Sequence, residues 1–512
     1  MGKHATNKIL ILLAIVAASL AFASAAQAGA RTIASTDLVP FGDWTYDAML
    51  SLAADGLVPG APARIFEGDR LFNRIEMAQA VASIVESSES KELGFKETAL
   101  IEHLVSEFKP ELMQAAPQAL QKWSERTTGI SLPTGGEAFL LGYSRSVLME
   151  DKGDDADDTS LVVPYRYSGF LNLSSRVFGI ATLANKQEKF FHERRGEPDL
   201  DKAFIRGFDK NFVWSVGREY LNWGPAYTGS LILSENSPAF LQIRGSKEVN
   251  FGKLFGKVKI TQFAGGFEGN DQTLYLFGRR YEKRLSDRWH AGISETAKTS
   301  ITPNPLILVM PFYLYQHLFD EIDEEFNTLY AADLSYRTGS GFQIYGEVAV
   351  DDITAPRIFG DRFTRPRKTG YTLGFYAPRV FGGGRLSTLR AEYIFVDRRT
   401  YEATRPSVPE LAYTHDGDII GHPIGPNAKA LYLRGEQSLN KRVSIIAEYL
   451  NQHQTDPGPP DADRRRILSL MIAYDGAPDK STALRVTPYE ITPPGQPALD
   501  GVKYELIFSC GF

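Results

Sequence analysis

Cysteine is nearly absent: 512 residues hold one, Cys510, so no disulfide can form within the chain and no paired-thiol redox or metal motif exists. Long apolar runs are scarce as well. Beyond one stretch near the N-terminus none reaches the ~18 residues of a membrane-crossing helix, which excludes a helical membrane protein. Positive charge is not in excess, since the net charge is −6 and the pI about 5.9, and nothing points to a nucleic-acid partner. Catalytic signatures are missing too: there is no Gly-x-Ser-x-Gly elbow, no His-Glu-x-x-His and no Walker loop. His290 with Ser294 is the pair one could assign to a lipid hydrolase or acyltransferase, but both fall near an expected periplasmic turn.

What is present begins with Lys3 and Lys8, an apolar run from Ile9 to Ala23 and the small-residue triplet Ala26-Gln27-Ala28. This reads as a secretory signal peptide over residues 1–28. At the other end, Val502 to Phe512 alternates strictly, with Val502, Tyr504, Leu506, Phe508, Cys510 and Phe512 on one face and Ile507 the single break on the other. Period-2 alternation over about ten residues, closing on Phe, is the pattern of a lipid-facing barrel strand.

Bacterial barrels join their strands by short periplasmic turns and longer outer loops, so the connections can be tested for alternation. With Phe512 taken as periplasmic, long connections fall at 492–500, 453–464, 397–427, 353–368, 297–327 and 265–272. Short turns fall between them at 475–481, 439–442, 379–384, 337–341, 284–288 and 251–256. The intervening strands put Leu334, Ile344, Val348, Leu389 and Tyr393 on one face, and Gln343, Glu347, Arg390, Glu392, Arg434, Glu436 and Glu448 on the other. A soluble sandwich could alternate but would not need this ordering of loops. The fold class expected is an all-β transmembrane barrel over 137–512, of about 16 strands by this count, with Glu137–Met149 left over as a further one. An unplugged barrel of that size encloses an aqueous lumen, which keeps a porin reading open.

Between signal and barrel, residues 37–88 show apolar residues at helical spacing, with a Gly56 stop and a second amphipathic run from Leu71. The Phe41-Gly42-Asp43-Trp44 start and Asn73-Arg74-Ile75-Glu76 resemble an S-layer homology module, with Asn73 departing from the family's Thr. That resemblance implies a tether to peptidoglycan or its linked polymers through Asp43, Trp44, Arg74 and Glu76. Read from the residues alone, the same stretch is a small helical cap on the barrel mouth, with Arg74 and Glu76 as helix-start residues. Residues 89–130, with Leu93, Leu100, Leu104, Val105 and Phe108 at helical intervals, predict periplasmic helices able to plug the barrel. The acidic run Glu150–Asp158 reads as a solvated loop.

Two loops stand out. Gly217–Pro225 with Leu231–Pro238 is rich in Gly, Pro and aromatics, and Ile420-Gly421-His422-Pro423-Ile424-Gly425-Pro426-Asn427 follows much later. The second loop also contains His415, Asp416, Asp418 and His422, a set that invites a metal, but its Gly and Pro density favours a compact self-bonded loop; no metal or cofactor is assigned.

In order and spacing, these two motifs resemble the Wzi family of capsule-assembly proteins. The resemblance implies an outer-membrane barrel of about 18 strands, closed by helices at its periplasmic end, that attaches capsular or exopolysaccharide at the cell surface in a lectin-like role without catalysis. Sugar recognition wants aromatic faces beside hydrogen-bonding and charged groups. The candidates are Arg218, Trp223, Tyr227, Tyr413, His415, Asp416 and His422, together with the basic loop residues Arg357, Arg362 and Arg365, which would attract an acidic polymer. For Arg218 and Trp223, shaping the mouth is the favoured role. A wall-tethered porin and an outer-membrane lipid-modifying enzyme are the alternatives, and outer-membrane lipid is a partner in every case.

Overall fold

The computed structural model describes residues 34–59, 63–66, 70–128, 137–147, 165–188, 193–209, 212–252, 256–268, 273–300, 315, 326–351, 368–380, 387–403, 409–455, 462–477, 480–492 and 499–511. The expected signal peptide and acidic run, and Arg357, Arg362 and Arg365, lie outside them.

Eighteen antiparallel strands, from Glu137–Val147 to Leu499–Gly511, form one sheet in which neighbours in sequence are neighbours in space. The first strand pairs both with Tyr165–Ser174 and with the last strand, so the sheet closes on itself. Closure gives every backbone N–H and C=O in the wall a partner, the condition for crossing a bilayer with strands. Among the described residues no helix is long and apolar enough to cross a membrane.

The wall is apolar outside and polar inside. Leu373, Ile344, Val348, Leu470 and Tyr504 are exposed, whereas the intervening Gln343, Glu347, Arg390, Glu392 and Glu436 are buried. Ile507, the break in the terminal alternation, turns inward and packs with Ile446, Met471, Ala473 and Ala483. Connections alternate as expected: strands ending at Arg284, Arg337 and Ser438 are followed by strands starting at Trp289, Gln343 and Val443, while those ending at Glu219, Thr299, Asp351 and Val396 resume only at Phe240, Phe326, Thr369 and Ala428. Eighteen strands exceed the sixteen of the direct count. The polar half of strand Glu193–Asp209, Glu193 to Lys202, conceals its period, and the leftover Glu137–Val147 is the strand that closes the sheet.

Among the described residues five α-helices precede the barrel: α1 Trp44–Ala54, α2 Arg74–Ser88, α3 Phe95–Glu107, α4 Lys109–Ala115 and α5 Pro117–Thr127. Asp43 caps α1 by accepting from the Thr45 N–H, and Pro opens or follows the first residue of α4 and α5, where a missing N–H costs nothing. Their apolar faces merge with the inner wall, Trp44 packing on Phe178 at 4.5 Å and on Phe170 at 6.1 Å. Phe178 and Phe208 lie next to tight turns, so the helices fill the short-turn end of the barrel.

Buried ion pairs bind this plug to the wall. Arg206 reaches Glu107 of α3 at 2.8 Å and Glu219 at 2.9 Å, Lys202 reaches Asp47 of α1 at 2.8 Å, and Arg280 links Asp37 at 2.8 Å to Asp333 at 2.7 Å. Each such charge is held inside only because its partner is there.

Candidate functional site

The long connection 220–239 turns back into the lumen from the other end. Its departure needs glycine: Gly217 and Gly224 take φ of +138° and +146°, and a Cβ at Gly224 would overlap the Glu347 carboxylate. Arg218 Nε donates to the Ala239 carbonyl at 2.9 Å, tying the two ends of the loop together. Trp223 N–H donates to the Leu233 carbonyl at 3.0 Å. Leu221, Trp223, Tyr227, Leu231, Ile232 and Leu233 then pack against Phe263, Leu276, Leu329, Ile394 and Tyr432 of the wall.

Two wall carboxylates receive the loop's backbone. Glu392 accepts from Tyr227 N–H at 2.5 Å, Thr228 N–H at 2.8 Å, the Thr228 hydroxyl at 2.6 Å and the Tyr345 hydroxyl at 2.5 Å. Glu347 accepts from Leu231 N–H at 2.9 Å and Ala226 N–H at 3.4 Å. A loop inside a barrel has no water for its amides, and these two lumen residues replace it.

The second motif locks onto the first. The Tyr401 hydroxyl donates to the Leu231 carbonyl at 2.7 Å and that of Tyr413 to the Ile232 carbonyl at 3.0 Å. Ser234 N–H donates to the Ile420 carbonyl at 2.9 Å. His422 is fully buried, and burial pushes its imidazole down to about 3, so it is neutral. Its Nδ1 accepts from Ile424 N–H at 3.2 Å, which places the ring proton on Nε2, and Nε2 meets the Thr228 hydroxyl at 3.1 Å.

The expectation of exposed aromatics at the outer mouth is therefore corrected. Trp223 is 5% exposed, Tyr227 2%, Tyr413 1% and His422 0%, because the loop that carries or contacts them folds inward. Arg390 lies over the Tyr227 ring at 4.2 Å, and Tyr432 stacks on it at 5.9 Å. Arg218 and Trp223 shape the loop. His415 is half-buried against Phe267, 4.5 Å between ring centres, and Asp416 is exposed at the tip of the hairpin formed by Thr414–His415 and Asp418–Ile419, with φ +53°. Among the described residues no group of three or more His, Cys, Asp or Glu is placed to hold a metal. Ser294 accepts from Arg280 at 2.9 Å, and His290 hydrogen-bonds the Ala34 backbone.

Asp43, Trp44, Arg74 and Glu76 all have partners within the plug and the wall. Trp44 is fully buried and Asp43 caps α1. Arg74 pairs with Glu107 and Glu111, each at 2.9 Å, while Glu76 completes a capping box with Asn73 and pairs with Arg70 at 3.0 Å. The Asn73 departure keeps the cap, since Asn accepts from the Glu76 N–H as Thr would.

Between plug and loop a small pocket is lined by Phe41 and Leu71 on one side and Asn222, Tyr227, Gly229 and Glu235 on the other. The Asn222 Oδ1 is buried there with no hydrogen-bond partner among the described residues. Phe41, Leu71 and the anchoring roles of Glu347 and Glu392 were not visible in the sequence. The weak signal was two lumen-facing glutamates on strands with no complementary cation at the paired register positions, Thr372 opposite Glu347 and Gly374 opposite Glu392.

A closed eighteen-stranded barrel, apolar outside and filled from both ends, is a plugged outer-membrane β-barrel. The family model for the capsule assembly protein Wzi matches residues 83–487, and the chain belongs to that family. Among solved structures it is similar to Wzi of Escherichia coli, described as a carbohydrate-binding outer-membrane β-barrel involved in group 1 capsule assembly. That likeness has a TM-score of 0.54 at 13% identity, covering 93% of this chain and 99% of that one. It also resembles OccD3 of Pseudomonas aeruginosa, with a TM-score of 0.42 at 13% identity over 74% of this chain and 92% of that one. No curated protein matches the chain.

Proposed function

We propose that this outer-membrane barrel retains capsular or exopolysaccharide at the cell surface as a closed, non-catalytic binding protein. The single observation that carries the reading, beside family membership, is the filled lumen: helices occupy one end and the interlocked loops enter from the other. Short turns belong to the periplasmic end of bacterial barrels, so the plug faces the periplasm and the long connections face out. Arg357, Arg362 and Arg365, on the connection from Asp351 to Thr369, would draw an acidic polymer.

In a strain lacking the protein, polysaccharide moves from the cell-bound to the shed fraction, and the wild-type gene restores it; an unchanged partition would remove the attachment role. Large, stable single-channel conductance from the purified full-length barrel would favour the porin reading instead. Loss of wall sedimentation on replacing Arg74 would support a peptidoglycan tether, a role to which Arg74's pairing inside the plug adds nothing.

A further inference from the structure

Three adjacent strands, Ala428–Ser438, Val443–Thr455 and Ala462–Ala477, place cations side by side. Lys429 stands opposite His453, and His453 opposite Arg464. All three share the outward parity of Leu431, Leu433, Leu468 and Leu470, which form the exposed apolar band below them. The next level toward that band holds Leu431, Asn451 and Arg466, and Arg466 pairs with Glu490 at 3.0 Å. The level above has no such compensation: no ion pair of Lys429 or Arg464 occurs among the described residues.

Like charges facing one another across strands destabilise a sheet, so a row of this kind is held at an electrostatic cost unless an anion sits over it. Neighbouring strands are about 4.8 Å apart, which sets Lys429 and Arg464 about 10 Å apart at the backbone with the imidazole between them. Both flanking side chains are long enough to converge above the ring. The row lies at the long-loop end, one level above the last polar rung and where the apolar band stops, the depth of lipid headgroups rather than of acyl chains.

We propose that Lys429, His453 and Arg464 form a docking site for the phosphorylated headgroup of an outer-leaflet glycolipid. The ammonium and guanidinium groups neutralise the phosphate, and the imidazole N–H donates to a third oxygen. The site is on the outside of the barrel wall, apart from the inward-folded loops.

The test uses full-length protein reconstituted with a phosphorylated glycolipid or its dephosphorylated form, then washed in detergent and examined for retained lipid by native mass spectrometry. Wild type is expected to retain the phosphorylated form with a preference on the order of tenfold, and K429Q/R464Q to lose that preference while keeping the unheated gel mobility of a folded barrel. The single variants K429Q and R464Q, each removing one exposed charge, should lose part of it, which keeps the test valid if the double variant folds poorly. Equal retention of both lipids by wild type, or an undiminished preference in the variants, would overturn the proposal. So would lipid-independent binding of soluble anionic polysaccharide or inorganic phosphate that the same substitutions abolish.

Discussion

Replacing Glu392 by Ala should loosen the inward loop without unfolding the barrel. The carboxylate accepts from two loop amides, one loop hydroxyl and the Tyr345 hydroxyl, and all four donors lose their partner. At about 1–3 kcal/mol for each buried donor, reduced because water follows the loop as it moves, the local loss is roughly 3–6 kcal/mol. Against it stand the loop's six buried apolar side chains, from Leu221 to Leu233, worth about 1.5–3 kcal/mol each and so roughly 9–18 kcal/mol as an upper bound. The loop therefore stays seated on average, but its opening becomes far more frequent. Hydrogen exchange followed by mass spectrometry reads this directly: peptides covering 220–239 should exchange on the order of a hundredfold faster or more, while peptides of α3 keep their wild-type rate. Unchanged exchange in 220–239 would refute the anchoring role of Glu392. An equal rise in every peptide would refute the claim that the effect is local.

Arg206→Ala removes the cation shared by Glu107 and Glu219, which keep Arg74 and Arg244 as partners, and should destabilise the docked plug by about 1.5–3 kcal/mol, seen as earlier proteolysis of residues 95–127 in a urea series. Burial pushes the His103 imidazole down to about 4, with its hydrogen bond to Asn172 opposing. A histidine with a depressed native value stabilises the plug fully above about pH 6.5 and loses that contribution as pH falls through about 4, a change of roughly 3 kcal/mol. Urea midpoints measured across this window should show the slope, and His103→Gln should flatten it. Asn73→Ala should cost about 1 kcal/mol of plug stability through the lost cap, whereas Asn73→Thr should cost little; thermal unfolding of the two variants compares them.

The barrel was legible in the sequence because its cause is local and repeated. A wall with lipid on one side and a polar lumen on the other imposes a period of two on each strand, and a membrane imposes long and short connections in turn. Where a strand begins polar, as from Glu193 to Lys202, the period disappears and the count falls short. The lumen was less legible. The sequence marks Trp223 and Tyr227 as special, but whether their loop faces outward or inward depends on carboxylates more than 100 positions away, Glu347 and Glu392, which nothing in the local pattern connects to it. The resemblance of Asp43, Trp44, Arg74 and Glu76 to a wall-binding module meets the same difficulty, for each has a partner inside the plug or the barrel that only the folded chain supplies.

The contact between Thr228 and His422 joins residues 194 positions apart, and the two carboxylates that hold the loop, Glu347 and Glu392, lie on strands that follow it in the chain. Bringing together segments so distant is entropically slow, and it requires the later strands to be in place before there is anything to receive the loop. The inner seal is therefore a late event of biogenesis. A barrel whose wall has closed but whose two motifs have not yet met lacks the inner seal at its long-loop end, and the speed of that last docking step sets how long it does so.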